Sequence, residues 1–313
     1  MAALGSTPVR LLVTAGVLAL LAARIDMGEA ARAMRGLDPG HGLAVLALLA
    51  GDRLVMVLRW ILLLRASGTR VPAADATSIY FVSSFVGGFL PAGVGGDVLR
   101  AYALGRQTAQ HGEAFASVTV DRVLGLLSLV LTGILGAVLW SGAGADRLQT
   151  AVVMIAVLGA VALTALFWAD RALRSALPAS WQRGPVAGPV LRVADALGRY
   201  RGRAGVLTSV LLLSLAVQGL RIGQAWLLGV GIGIDVGFSY YLVFMPVGLL
   251  MLLLPISISG FGLPQGVIVW LLQPRGVPES LAFALSTLIV LSGIIGNLPG
   301  AVLYLRARRR VPR

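Results

Sequence analysis

Asp97 and Arg100 stand three residues apart in FLPAGVGGDVLRAY, residues 89–102, directly after a proline and three glycines. At that spacing a carboxylate and a guanidinium share one face of a helix. A helix that starts near Gly96 leaves its first N–H groups unbonded and its positive dipole end open, an arrangement that suits an anion. Asp97 would cap that start, and Arg100, one turn on, would reach an anionic group held there. Charge interrupts other apolar runs as well: Asp52, Arg53 and Arg59 in one, Asp121 and Arg122 in a second, Arg221 in a third. Asp121 and Arg122 are adjacent, so on a helix they point about 100° apart and need partners elsewhere in a bundle. Asp52 and Arg59 are seven apart and share a face, which fits either an ion pair or a substrate role. Ser214, Gln218 and Arg221 recur at four- and three-residue steps, a polar stripe that faces either a cavity or a neighbouring helix.

The rest of the composition removes whole classes of chemistry. All 26 basic residues are arginine, so neither a Walker A phosphate loop nor a Schiff-base enzyme fits. There is no cysteine, which excludes disulfides, thiolate metal sites and thiol nucleophiles. His41 and His111 fall in separate loops, and no cofactor or metal is called for. With 58% hydrophobic and 12% charged residues and a mean hydropathy of +0.89, the chain is far more apolar than a soluble domain. Its net charge of +13 therefore belongs to membrane flanks, and nucleic acid is not among the expected partners.

Spans of about 20 apolar residues are needed to cross a bilayer core. Such runs fall at about 8–24, 42–64, 114–140, 150–168, 206–230 and 281–305. The first also resembles a signal-peptide core, but a transmembrane helix is the preferred reading. Two further stretches, 76–106 and 240–273, are apolar but broken by proline and glycine, and each reads as a re-entrant helical hairpin. Segment 170–205 carries seven arginines against two aspartates, and the tail after residue 305 carries five arginines and no acid. Both belong in the cytoplasm by the positive-inside rule, which puts both termini there. Loop 24–41 is placed outside although it holds Arg24, Arg32 and Arg35. Val190, Val193, Ala194 and Leu197 share a helical face, so 189–200 either lies on the anionic leaflet or is a plain basic loop.

The break occurs twice. Leu90-Pro91 matches Leu254-Pro255, and a glycine follows five residues after each proline, Gly96 and Gly260. Upstream, Arg59 lies 32 residues before Pro91, and Arg221 lies 34 before Pro255. The two copies enter the membrane from opposite sides, the pattern of inverted repeats whose broken helices frame a transport site. In the second copy Ser257 and Ser259 supply hydroxyls, and Gln265 stands where a charge would be expected.

At these residues the chain resembles the transmembrane region of the lysylphosphatidylglycerol synthase/flippase family, which includes the membrane part of the multiple peptide resistance factor. LPAGVGGDVLR (90–100), DRVLGLLSL (121–129), LPISISGFGLPQG (254–266) and NLPGAVLYL (297–305) carry the likeness over most of the chain. The resemblance implies a bacterial inner-membrane protein that moves phospholipids or lipid-linked molecules between leaflets. It also implies that Asp97, Arg100, Asp121, Arg122 and the Gly260–Gly262 turn belong to the working cavity. Members usually have an Arg-Glu pair near the second turn, where this chain has Pro264-Gln265. The soluble aminoacyl-transfer domain of the synthases is absent, so aminoacylation of lipid by this chain alone is not expected.

The reading is thus an all-α polytopic membrane protein of two inverted halves, with about six spans and two re-entrant hairpins. Residues 1–169 and 206–313 form the halves, and 170–205 is the arginine-rich linker between them. The expected function is transport of an anionic lipid. A membrane enzyme with Asp97 or Asp121 as base, or an anchoring subunit for a separate synthase or glycosyltransferase, is the alternative. Substrate contacts are expected from Arg59, Pro91, Gly95, Gly96, Asp97, Arg100, Asp121, Arg122, Arg221, Ser257, Ser259, Gly260, Gly262 and Gln265. A homo-oligomer is compatible with this reading, although no motif fixes its interface.

Overall fold

The computed structural model describes residues 25–88, 95–139, 187–251 and 262–309, together with 150, 154, 161, 165 and 168–176. Among these residues the chain is helical, with no strand. Helices α1 (Met27–Arg35), α2 (Pro39–Ser67), α3 (Ala73–Gly88), α4 (Gly95–Thr108) and α5 (His111–Leu139) come first. α6 (Ala169–Ala176) and α7 (Ala187–Arg199) follow, then α8 (Ala204–Gly231), α9 (Phe238–Met251), α10 (Leu263–Leu272) and α11 (Glu279–Arg309). The expected first span at 8–24 and most of 150–168 lie outside the described residues.

Among the described residues, three helices are long and apolar enough to cross a membrane: α5, α8 and α11 as far as Arg306. α2 has a comparable length, 29 residues, and its limits follow from its ends. The Asp38 carboxylate accepts from the His41 N–H at 2.9 Å, Pro39 occupies the first turn, and Gly68 closes the helix in the left-handed conformation. α2 carries charge at Asp52, Arg53 and Arg59, and two of these three side chains, Asp52 and Arg59, are buried.

α3 and α4, at 16 and 14 residues, are each shorter than a span, as are α9 and α10 at 14 and 10. α3 and α4 pack backbone against backbone: a Cβ on Gly87 would fall 2.3 Å from the Gly96 Cα. α2 lies against α8, and the pairing is antiparallel. Asp52 meets Arg221, and seven residues later Arg59 meets Ser214, seven residues earlier on α8. α3 packs on α11, and α9 packs on α5.

α7 corrects one expectation. Of its expected apolar face, Ala194 and Leu197 are buried in protein and Val193 partly so, whereas Val190 is exposed. Leu197, with Ala196 and Tyr200, joins a core shared with Leu63, Ala116, Val120, Leu124 and Val210. The Tyr200 hydroxyl donates to the Leu63 carbonyl at 3.0 Å, and Arg199 pairs with Glu113. An amphipathic pattern requires a cover for its apolar side, and here the bundle provides it.

The α3–α11 crossing depends on one glycine. A Cβ at Gly300 would sit 2.0 Å from the Phe81 carbonyl oxygen, whereas one at Gly219 meets nothing within 4 Å. Gly300→Val should therefore destabilise the detergent-solubilised protein by about 1–3 kcal/mol through overpacking. Gly219→Ala, in an open helical position, should be neutral or slightly stabilising. Thermal unfolding of the two variants side by side checks this.

Candidate functional site

Five helices meet at one charged cluster, to which α2, α4 and α5 bring the charges and α3 and α8 bring Tyr80 and Ser214. From α5, Asp121 accepts from Arg59 Nε of α2 at 2.6 Å through one oxygen and from Arg100 Nη2 of α4 at 2.9 Å through the other. Arg59 Nη1 donates to Ser214 Oγ of α8 at 2.9 Å. Arg100 also reaches Asp97 at 3.3 Å, and its guanidinium lies over the rings of Trp60 at 4.9 Å and Tyr80, from α3, at 5.4 Å. Arg122 donates to Asp97 from Nε at 2.7 Å and from Nη2 as well. Asp121, Arg59 and Arg100 are 2%, 4% and 4% exposed, so the centre of this cluster is buried. Asp97 and Arg122 form its accessible rim, with side chains 18% and 38% exposed.

Asp97 lies inside the first turn of α4 rather than capping it from outside. The helix starts at Gly95, so the carboxylate still complements the dipole while its oxygens serve Arg100 and Arg122. Asp121 and Arg122 point apart and take separate partners, as their adjacency on a helix dictates. Asp52 and Arg59 do not pair along α2. Asp52 instead accepts from Arg221 Nε at 3.0 Å and lies 3.7 Å from Arg53 Nε.

These groups wall a cavity of about 510 Å³. Arg59, Gly96, Asp97, Arg100, Asp121, Arg122 and Arg221 of the expected set line it. Among the described residues its charged lining consists of five arginines (53, 59, 100, 122 and 221) against three aspartates (52, 97 and 121). The excess is two positive charges. Leu49, Met56, Phe85, Leu129, Leu249 and Ile289 supply apolar wall. The Ser214–Gln218–Arg221 stripe divides its work. Ser214 holds Arg59, Gln218 donates to Ser128 Oγ at 3.3 Å, and Gln218 and Arg221 line the cavity.

Gly262 and Gln265 sit elsewhere. The Gln265 side-chain oxygen accepts from the Gly262 N–H at 3.2 Å, and its amide nitrogen donates to Thr287 at 2.9 Å. Gln265 is 1% exposed and joins the start of α10 to α11. Pro91, Ser257, Ser259 and Gly260 lie outside the described residues, and Gly95 opens α4 beside the lining. Sequence reasoning missed Gln224 and Asn297, both on the cavity wall. Gln224 is three residues after Arg221 and extends the same stripe, so its signal was available.

Fold and site together define a helical membrane protein with a positively charged internal cavity reached by short, paired helices. The chain belongs to the family described as the lysylphosphatidylglycerol synthase TM region, whose model matches residues 9–300. It is similar to the glycosyltransferase AglD of Haloferax volcanii, 30% identical over 298 residues, which cover 81% of this chain and 46% of that protein. It is also similar to a UPF0104 membrane protein of Methanothermobacter thermautotrophicus, 25% identical over 302 residues, 88% of this chain and 85% of that one. The chain thus spans about half the length of the first relative and most of the second.

Asp121 is the shared counter-ion of two buried arginines, and removing its charge strands both. Asp121→Asn should cost about 3–5 kcal/mol of stability, the scale for breaking a buried pair. Arg122→Gln, at the exposed rim, should cost about 1 kcal/mol or less. Denaturation of the purified variants in detergent measures the difference.

Proposed function

We propose that this protein moves an anionic phospholipid or other lipid-linked anion between the leaflets of a bacterial cytoplasmic membrane. The observation that carries the reading is the uncompensated charge of the cavity, five arginines against three aspartates. A buried positive excess draws an anion. Apolar wall beside it suits the lipid part of an amphiphile, and the volume is that of a small-ligand site, enough for a head group. The head group meets Arg122 first, displaces Asp97 from it, and lies against Arg100 and Arg59 while its tails stay in the bilayer.

An inverted repeat supplies the alternating access. Helices of 29, 16, 14 and 29 residues (α2–α5) are followed by helices of 28, 14, 10 and 31 (α8–α11). α3 packs on α11 and α9 on α5, the exchange that a two-fold relation requires. Equivalent helices α2 and α8 run antiparallel, as inversion in the membrane demands. Their side chains repeat the relation: Arg59 bonds Ser214, and Arg221, its counterpart, bonds Asp52, seven residues before Arg59 just as Ser214 precedes Arg221. Short helices α3/α4 and α9/α10 are then the two re-entrant hairpins.

A transfer enzyme is less well supported. Asp52, Asp97 and Asp121 all accept from guanidinium groups, so none is presented as a free base. The second reading is a membrane subunit for a separate transferase. It draws on the relative named a glycosyltransferase, over half of whose length lies outside the match.

The test is translocation in proteoliposomes with head-group-labelled lipids. Wild type should move an anionic lipid and leave a choline lipid in place, and Arg122→Gln should slow transport about tenfold or more while remaining folded. Indifference to head-group charge, or no movement of any lipid under an imposed proton or ion gradient, would overturn the transport reading. Co-purification with a transferase would then favour the second.

A further inference from the structure

The three aspartates of the lining are not equally held. The Asp52 and Asp121 side chains are 2% and 3% exposed, and each is shared by two arginines. Withdrawing either would leave guanidinium groups unpaired in a buried place, so both are fixed counter-ions. The Asp97 side chain is 18% exposed, and that of its partner Arg122 is 38% exposed. Every other ion pair given for the described lining has one member at 5% or less. Asp97–Arg122 is therefore the pair that can exchange partners without stranding a charge.

Asp97 also occupies the place an incoming anion would take. It lies in the first turn of α4, at the positive end of that helix. One carboxylate oxygen accepts from Arg122 through both Nε and Nη2, the edge of a guanidinium that also binds phosphate. The other accepts from Arg100 Nη2 at a longer 3.3 Å. Arg100 Nε is buried in the same cluster and has no hydrogen-bond partner among the described residues. A phosphate ester has more acceptor oxygens than a carboxylate, so it can hold Arg122 and take this unused donor as well. The other unpartnered lining atoms, on Arg53, Gln218, Gln224 and Asn297, belong to residues with no bond to Asp97 or Arg100.

We propose that Asp97 is an internal competitor, a tethered anion that keeps the substrate's place on Arg122 and Arg100 and returns to it to expel the cargo. The proposal rests on the anionic-lipid reading and adds how that site empties. With Asp97 displaced, the positive excess of the lining grows from two charges to three. Such a site holds an anion firmly, whereas transport needs binding weak enough to reverse. A carboxylate fixed beside the site acts at high effective concentration, so it lowers the net affinity and hastens release. While displaced, it still has the α4 helix end and the open side of the cavity, so it is not stranded.

Asp97→Asn tests this, because it keeps the side chain's shape and removes its charge. The probe is short-chain phosphatidylglycerol, its binding measured in neutral-lipid nanodiscs and its translocation, head-group-labelled, in proteoliposomes. The variant should bind about tenfold more tightly than wild type, through slower dissociation, and should translocate about tenfold more slowly. Asp97→Glu restores the tethered charge and should bring both values back toward wild type. A merely structural carboxylate predicts a different pattern, with binding, transport and unfolding temperature all falling together. A folded Asp97→Asn protein that binds no more tightly than wild type, or binds more tightly yet moves lipid as fast, would overturn the proposal and leave the anionic reading standing. So would failure of Asp97→Glu to restore either value, or an Asp97→Asn protein that does not fold even with the lipid present. Failure of wild type to bind the lipid would sink the anionic reading and this inference with it.

Discussion

A carboxylate buried at 2% exposure and shared by two guanidinium groups sets the terms for the whole molecule. An isolated charge at that depth is costly, so Asp121 is stable only while Arg59 and Arg100 are delivered to it from α2 and α4. Each delivery fixes something else. Arg59 needs α8, because Ser214 takes its remaining contact. Arg100 needs the α3–α4 hairpin, since Tyr80 and Trp60 form the aromatic floor beneath its guanidinium. The close backbone contact at Gly87 and Gly96 is what brings α4 near enough.

The same cluster meets the start of a short helix: α4 begins at Gly95, and Gly96 and Asp97 line the cavity. The unbonded N–H groups of a helix start need polar surroundings. Charge is distributed unevenly between the two halves. Arg59 sits with Asp121, Arg100, Asp97 and Arg122, whereas Arg221 has Asp52 and, beyond it, Arg53. Of the described charged lining, the first half supplies all three aspartates and four of the five arginines, and the second half supplies Arg221.

Much of the helix layout was legible before any coordinates. Apolar runs located α2, α5, α8 and α11 to within a few residues, because a run long enough to cross a bilayer has to be helical there. The interrupting charges also marked the charged part of the cavity lining, since charge in an apolar run must face inward. Pairing was not legible. Asp52 and Arg59 share a face, yet each is claimed across the bundle, because the antiparallel α8 brings Arg221 and Ser214 closer than either is to the other. Gln265 occupied a promising place in a motif, but a capping bond and Thr287 already use its amide. The apolar face of α7 was visible as a pattern, but periodicity does not say whether protein or lipid covers it.

The absence of cysteine allows a direct test of the cavity as an anionic head-group site. Ser292 lines the cavity, and its hydroxyl donates to the Ile289 carbonyl within its own helix, so Ser292→Cys places one thiol there with little disturbance. The measurement is its labelling rate with a membrane-impermeant maleimide in neutral-lipid nanodiscs, with and without a short-chain anionic phospholipid. The account predicts that the thiol reacts, that the anionic lipid slows it while a short-chain choline lipid does not, and that Arg122→Gln removes the protection. A thiol that never reacts, or one protected equally by both lipids, would contradict it.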